Sequence, residues 1–386
     1  MSDGEHAPPR ASGKLLQTAP EASALVVRLL KCDRLALDTE GDGMFRYRTN
    51  LCTVQLCGAG EIAVVDTLAV PAAPLLCQLL GETGPEKIIH DAAFDARVLL
   101  AHGVQVGRVF DTAIAARFLG LPSTGLSSLL LRYFQLSLPK HQQQADWGLR
   151  PIDAEAMRYL EDDVRHLSDL ADCLLAAIRE REIEPEVREE CAHVLSEARK
   201  VEPLDPAWMR VKTAALHAPK ERARLVELAE EREQLAQQLN LPPARFVNSE
   251  VLLNIARKAP GSVEAMAQLL GSKREHAARF FEALRRGEAN DDAPLEHLRR
   301  LLPPAPSPSE LARRKRRKSW LLELRDAQAK ERGVDVQVVL PGHCLNDMLD
   351  LPALTPSLLR SVSGFGECRV DRYGALLERL SARWND

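Results

Sequence analysis

The first half of the chain carries its apolar residues in short runs. RLALD (34–38), CTVQLC (52–57), EIAVVDT (61–67) and KIIH (87–90) are brief and rich in Val, Ile and Leu, with polar residues between them. Such runs predict β-strands. No helical stretch separates the first three, so they predict an antiparallel meander. A helical period follows around 72–81, 93–102, 112–119 and 124–133, with one further strand in VGRVFD (106–111). Strands first in a meander and then alternating with helices predict a mixed sheet flanked by helices. From Asp153 the pattern is helical to about Glu182. The stretch from Glu184 to Pro206 is acidic, contains Pro185, Pro203 and Pro206, and reads as a linker or as a helix lying across the domains.

Beyond Pro206 the chain predicts helices only. Two blocks repeat one order: long amphipathic helix, short helix, proline, short helix, glycine, closing helix. SEVLLNIA (249–256) stands over GHCLNDML (342–349), and AQLLG over VSGFG, at an offset near 94. This is an internal duplication of a small all-α module, with the PPAPSP stretch (303–308) between the copies.

Length and composition narrow the class. At 386 residues, 45% hydrophobic and 27% charged, the chain suits two or three globular domains. No apolar run approaches the roughly 18 residues of a membrane helix. The start, MSDGEHAPPRASGK, lacks the basic and apolar regions of a signal peptide, so a cytoplasmic location and no membrane partner are expected. The eight cysteines are dispersed without a CxxC pair, which supports neither a zinc site nor a disulfide framework. Residues 1–200 hold 21 basic and 29 acidic side chains, a balance of −8, and residues 201–386 hold 30 and 26, a balance of +4. An acidic half suits cations and a basic half suits phosphate.

The acids bring in the chemistry. In LALDTEGDG (35–43) an apolar strand ends on Asp38 and Glu40, two residues apart and so on one face. Paired carboxylates at the end of a buried strand repel, and a hard divalent cation compensates them; two solvated surface acids are the bland alternative. KIIHDAAFDARVLL (87–100) runs from a strand into a helix, with Asp91 expected as its N-cap and Asp95 one turn in. YLEDDVRHL (159–167) sets Tyr159 and Asp163 one helical turn apart.

Together, LDTE, IIHDAAFD and YLEDDV resemble in order and spacing the exonuclease family with four invariant acids and a tyrosine, DEDDy, over roughly residues 20–185. KHQQQADWGLRP (140–151) resembles the stretch before the tyrosine motif in the ribonuclease D branch. The duplicated module resembles the HRDC domain. The resemblance implies a ribonuclease-H-like exonuclease domain with a mixed five-stranded sheet, followed by two all-α HRDC-type modules. The expected division is a disordered lead (1–18), the exonuclease (19–205), a first HRDC module (206–300) and a second, HRDC-like one (301–386).

It further implies hydrolysis supported by two divalent metal ions, Mg2+ or Mn2+. Asp38 would bridge them, Glu40 and Asp163 would complete one site, Asp95 would serve the other, and Tyr159 would orient the attacking water. The products would be nucleoside 5′-monophosphates from RNA 3′ ends, in tRNA precursors or other structured RNA; no protein partner is indicated. A DNA exonuclease or a silent nucleic-acid-binding scaffold are the alternatives. His90, Phe94, Met44, Lys140 and Arg150 are further candidates for nucleic-acid contact, though His90 suits a structural role and Phe94 suits core packing. In ARRKRRK (312–318) the run Arg313, Arg314, Lys315, Arg316, Arg317 and Lys318 suits phosphate contact. On a helix these six point around most of the circumference.

Overall fold

The computed structural model describes residues 13–138, 144–200, 205–211, 218–290 and 307–384. The chain divides into two compact units. One comprises 1–41, 51–200 and 306–386, the other 42–50 and 201–305.

The first unit is built on a six-stranded sheet. Its strands are β1 (Lys14–Leu16), β2 (Arg34–Gly41), β3 (Leu51–Gly58), β4 (Glu61–Asp66), β5 (Glu86–Ile89) and β6 (Val109–Asp111). The spatial order is β1-β4-β3-β2-β5-β6. The β2-β3-β4 meander is antiparallel, whereas β1 on β4, and β5 and β6 beyond β2, pair in parallel. The sixth strand is β1. It corrects the expectation of a disordered lead through residue 18 and of five strands, because three residues suffice to pair Leu15 with Val64 at the sheet edge.

Helices α1 (Ala19–Leu29), α2 (Ala72–Leu80) and α3 (Ala93–Ala101) cover one face of the sheet. Helices α4 (Thr112–Phe118), α5 (Leu126–Phe134), α6 (Ala154–Arg165) and α7 (Leu167–Glu180) lie toward the other. Because both faces are covered, strand residues alternate between two cores. Leu35 and Leu37 enter the first and Ala36 the second. The proline-bearing acidic stretch forms α8 (Glu184–Ala198), with Pro185 tolerated in its first turn. Val187 and Cys191 of α8 enter one core and Leu195 the other.

The second unit is helical: α9 (Pro219–Gln238), α10 (Pro243–Phe246), α11 (Ser249–Lys258), α12 (Val263–Leu270) and α13 (Ala277–Ala289). Leu225, Leu228, Leu252, Ile255, Met266, Phe280 and Leu284 form its core. Helices α9 and α13 approach so closely that a Cβ on Gly287 would lie 2.5 Å from the Arg224 Cα. The 42–50 loop, which follows Glu40 and Gly41 in sequence, packs here. Tyr47 lies against this core and its hydroxyl donates to Glu233 at 2.6 Å. The Arg245 guanidinium covers the Phe45 ring at 4.4 Å.

The second helical module belongs to the first unit. It contains α14 (Pro308–Arg332), α15 (Val336–Val339), α16 (Gly342–Met348), α17 (Pro356–Leu359) and α18 (Glu367–Ser381). A Ser307–Glu310 capping box starts α14. The acidic face of α8 receives the module. Glu189 accepts the N–H groups of Glu367 and Cys368 at the start of α18, where the helix dipole favours a carboxylate. Glu190 pairs with Arg369 at 2.7 Å, and Glu186 with Arg332 and Arg372.

Candidate active site

Strand β2 carries Asp38 and Glu40 onto the Ala36 face, where a register shift between Glu40 and Gly41 interrupts its pairing with β3. Helix α6 crosses that end of the sheet. Its N-cap, Asp153, accepts the N–H groups of Glu155 and Ala156, which fixes where the helix begins and hence where Tyr159 and Asp163 fall. Carboxylate oxygens of Asp38, Glu40 and Asp163 all lie within 4.8 Å of one another. The Tyr159 hydroxyl donates to the Asp163 carboxylate.

Asp95 arrives from the first turn of α3. It is buried and accepts the Thr39 hydroxyl at 2.6 Å. The expected N-cap role of Asp91 does not hold. Ala92 is the N-cap and Asp91 precedes it with a left-handed backbone, φ 63°. The turn is held instead by Asp111 at the end of β6. Its carboxylate accepts the N–H groups of Asp91 and Ala92 and also those of Ala113 and Ile114. This anchor was missed from sequence. An Asp ahead of a helical pattern was its only signal, and that signal does not reveal the second loop it binds.

Asp38, Thr39, Glu40, Asp95, Tyr159 and Asp163 line a cleft of about 440 Å³ together with His90, Asp91, Phe94, Leu126, Ser127, Ser128 and Leu138. Burial pushes the Asp38 carboxyl well above the usual carboxylate range, and the charges of Asp95, Asp163 and Glu40 push it further. Burial, then Asp163 and Asp95, push Glu40 up to about 9. Burial raises Asp95 to about 7 against the hydrogen bond from Thr39. Asp163 likewise rises to about 7 against the bond from Tyr159. Burial and the three nearby acids raise the Tyr159 phenol, so it stays protonated at neutral pH. A cluster that resists losing its protons wants a cation. Its donors are all carboxylate oxygens, as Mg2+ and Mn2+ prefer. The residues therefore fit a divalent metal.

The remaining candidates divide. Phe94, read as core packing, is 48% exposed on the cleft wall. His90 also lines the cleft, with Nδ1 2.9 Å from the Thr112 hydroxyl, and burial lowers its pKa. Met44 is exposed on the 42–50 loop of the other unit. Lys140 lies outside the described residues. Arg150 does not reach for phosphate: both edges of its guanidinium bind Asp66 and three backbone carbonyls.

In the basic run, Arg313, Lys315, Arg316 and Lys318 are exposed. Arg317 is buried, donates to the carbonyls of Leu349, Leu351 and Trp384, and covers the Trp384 ring at 4.5 Å. Arg314 pairs with Asp350. Both corrections follow from the helical circumference, which turns part of the run toward the module's own core. On α13, Arg279 and Arg286 are engaged by Glu231 and Glu227.

Comparison with known proteins gives the family and the fold. Residues 14–179 match the 3′-5′ exonuclease family, and 221–285 and 317–380 each match the HRDC domain. Ribonuclease D of Nitrobacter hamburgensis is 30% identical over 286 residues, covering 72% of this chain and 74% of the relative. That of Gluconacetobacter diazotrophicus is 32% identical over 269 residues, covering 68% and 67%. In fold the chain is similar to Escherichia coli RNase D, an exoribonuclease involved in structured RNA processing (TM-score 0.71, 22% identity, 96% and 98% covered). It is also similar to a protein from Bifidobacterium adolescentis (TM-score 0.74, 22% identity, 98% of each chain). The class is thus a 3′-5′ exonuclease joined to HRDC domains. Within it, this chain belongs to the ribonuclease D family.

Proposed function

We propose that this chain shortens RNA from its 3′ end, hydrolysing the terminal phosphodiester and releasing nucleoside 5′-monophosphates, in the maturation of tRNA precursors or other structured RNA in the cytoplasm. The observation that carries the reading is the convergence of Asp38, Glu40 and Asp163 within 4.8 Å beneath Tyr159.

Asp38, Glu40 and Asp163 would hold divalent metal, Mg2+ or Mn2+, with Asp95 beside them serving a second ion. When bound, such ions lower the pKa of water and neutralise charge on the phosphate and the leaving oxygen. The chain's own groups do the rest. Tyr159, held as a phenol, presents a hydroxyl that orients the attacking water; because it stays protonated at neutral pH, it does not serve as the base. Thr39 fixes the Asp95 carboxylate, and Asp111 fixes the turn that brings it in. The exposed Phe94 ring offers a face for stacking the terminal base.

End-labelled RNA and DNA oligonucleotides, incubated with Mg2+, Mn2+ or chelator, test the proposal. Mononucleotide release from RNA 3′ ends that stops with chelator is expected. Exclusive release from DNA would replace it with the repair-exonuclease alternative.

A further inference from the structure

Arg150 has a use that the proposed reaction does not assign. A guanidinium carries five N–H donors, and this one places every one of them. Nε and Nη2 donate to the two Asp66 oxygens at 2.8 and 2.7 Å. Nη2 also reaches the Cys52 carbonyl at 2.9 Å. Nη1 reaches the carbonyls of Trp147 and Leu149, each at 2.7 Å. Asp66 is buried at the end of β4 and also accepts from Gln17. Arg150 therefore ties the Trp147–Leu149 turn to the ends of two sheet strands.

The turn holds Trp147, which is 4% exposed. Its ring stacks on that of Tyr159 with centroids 5.7 Å apart and planes at 29°. The indole Nε1 is buried and has no hydrogen-bond partner among the described residues. What the structure shows it contacting is a ring, through its flat face. That face fixes the Tyr159 ring: the swing of the ring axis about Cα–Cβ sets where the oxygen lies, and the ring plane sets the direction of its O–H. Trp147, Val64 and Leu160 form a small core of their own around it.

We infer that Trp147 and Arg150 are positioning residues for the Tyr159 hydroxyl: Arg150 clamps the turn, and Trp147 packs against the phenol ring so that the side chain keeps the orientation that puts its hydroxyl in the cleft. The inference rests on the proposed role of Tyr159.

A mutant cycle on RNA turnover tests it. Trp147→Leu is expected to lower kcat about tenfold with KM unchanged, and Trp147→Phe, which keeps a ring, to restore most of the rate. In a Tyr159→Phe background the same Trp147→Leu change is expected to lower kcat by less than about twofold, because the hydroxyl it positions is gone. Arg150→Lys keeps the charge toward Asp66 but not the planar fork, and is expected to show a smaller loss with the same background dependence. Equal losses in both backgrounds would mark general packing and overturn the inference, as would unchanged kcat in Trp147→Leu. Thermal melting checks each variant, and where Trp147→Leu does not fold the cycle is read on Arg150→Lys. A Tyr159→Phe enzyme with full activity would refute the tyrosine's role itself, an outcome distinct from a slowed Tyr159→Phe enzyme indifferent to Trp147.

Discussion

The Thr39 hydroxyl donates to the Asp95 carboxylate at 2.6 Å, between a residue of β2 and an acid 56 positions away. Thr39 points to the opposite face from Asp38 and Glu40, so one strand end serves both sides of the cluster. Thr39→Val preserves the branched shape and removes the donor. A hydrogen bond to a charged group contributes about 1.5–3 kcal/mol, so the variant is expected to lose stability of that order in urea unfolding above pH 7. Below pH 6, where Asp95 is protonated in the fold, the loss should shrink.

The acid cluster sets a pH dependence of stability. Folding raises these carboxyls from ordinary values near 4 to about 7 for Asp95 and Asp163 and about 9 for Glu40. Between pH 4 and 9 the native state thus holds more protons than the unfolded chain, and stability falls as pH rises. In chelator the protein is expected to melt at a lower temperature at pH 8.5 than at pH 6, with Mg2+ reversing most of the difference. Asp38→Asn removes one charge from the cluster and should raise the chelator-treated melting temperature at pH 8.5. A lower melting temperature for that variant would contradict the electrostatic account.

How much of this was legible in the sequence depends on the range of each cue. Asp38 with Glu40, and Tyr159 with Asp163, are periodicity statements, and their family resemblance supplied the partners that spacing alone could not. Arginine roles were illegible. Arg150 and Arg317 read as phosphate ligands because a guanidinium that binds a carbonyl and one that binds a phosphate look alike in sequence; only folding brings Asp66 or the Trp384 carbonyl within reach. Strand β1 escaped for a different reason: three residues carry too little alternation to register. The acidic stretch after Glu184 showed its charge but not its use, since the arginines that answer it lie beyond residue 330.

The basic run gives a contrast within one helix. Arg317→Ala removes the donor of the buried Leu349 and Trp384 carbonyls and uncovers Trp384, while the Leu351 carbonyl keeps the Trp384 indole N–H, and is expected to destabilise by about 2–4 kcal/mol. Lys315→Ala on the exposed side should stay within roughly 0.5 kcal/mol. If the exposed residues meet RNA, Arg313, Lys315, Arg316 and Lys318 changed together should flatten the dependence of RNA affinity on salt, while Arg317→Ala should not do so selectively. Filter binding across a salt series reads both.

In the second unit, Tyr47→Phe removes the hydrogen bond to Glu233 and leaves the ring in place. A hydrogen bond to a charged group contributes about 1.5–3 kcal/mol, with this partly exposed one at the lower end. The unfolding transition of the helical unit should fall accordingly, with Glu233 still paired to Arg210 at 2.8 Å. An unchanged transition would show that the loop is held without the Glu233 bond, by its rings and by the Tyr47 N–H to Asn240.

The central claim is that Asp38, shared by the cluster, is required for metal-dependent hydrolysis and not for holding RNA. Turnover and RNA binding of Asp38→Ala, assayed side by side with end-labelled RNA in Mg2+, test it most directly. No mononucleotide release with RNA affinity kept within a few-fold of the unaltered protein is predicted. Metal-dependent release at an undiminished rate by Asp38→Ala would contradict it.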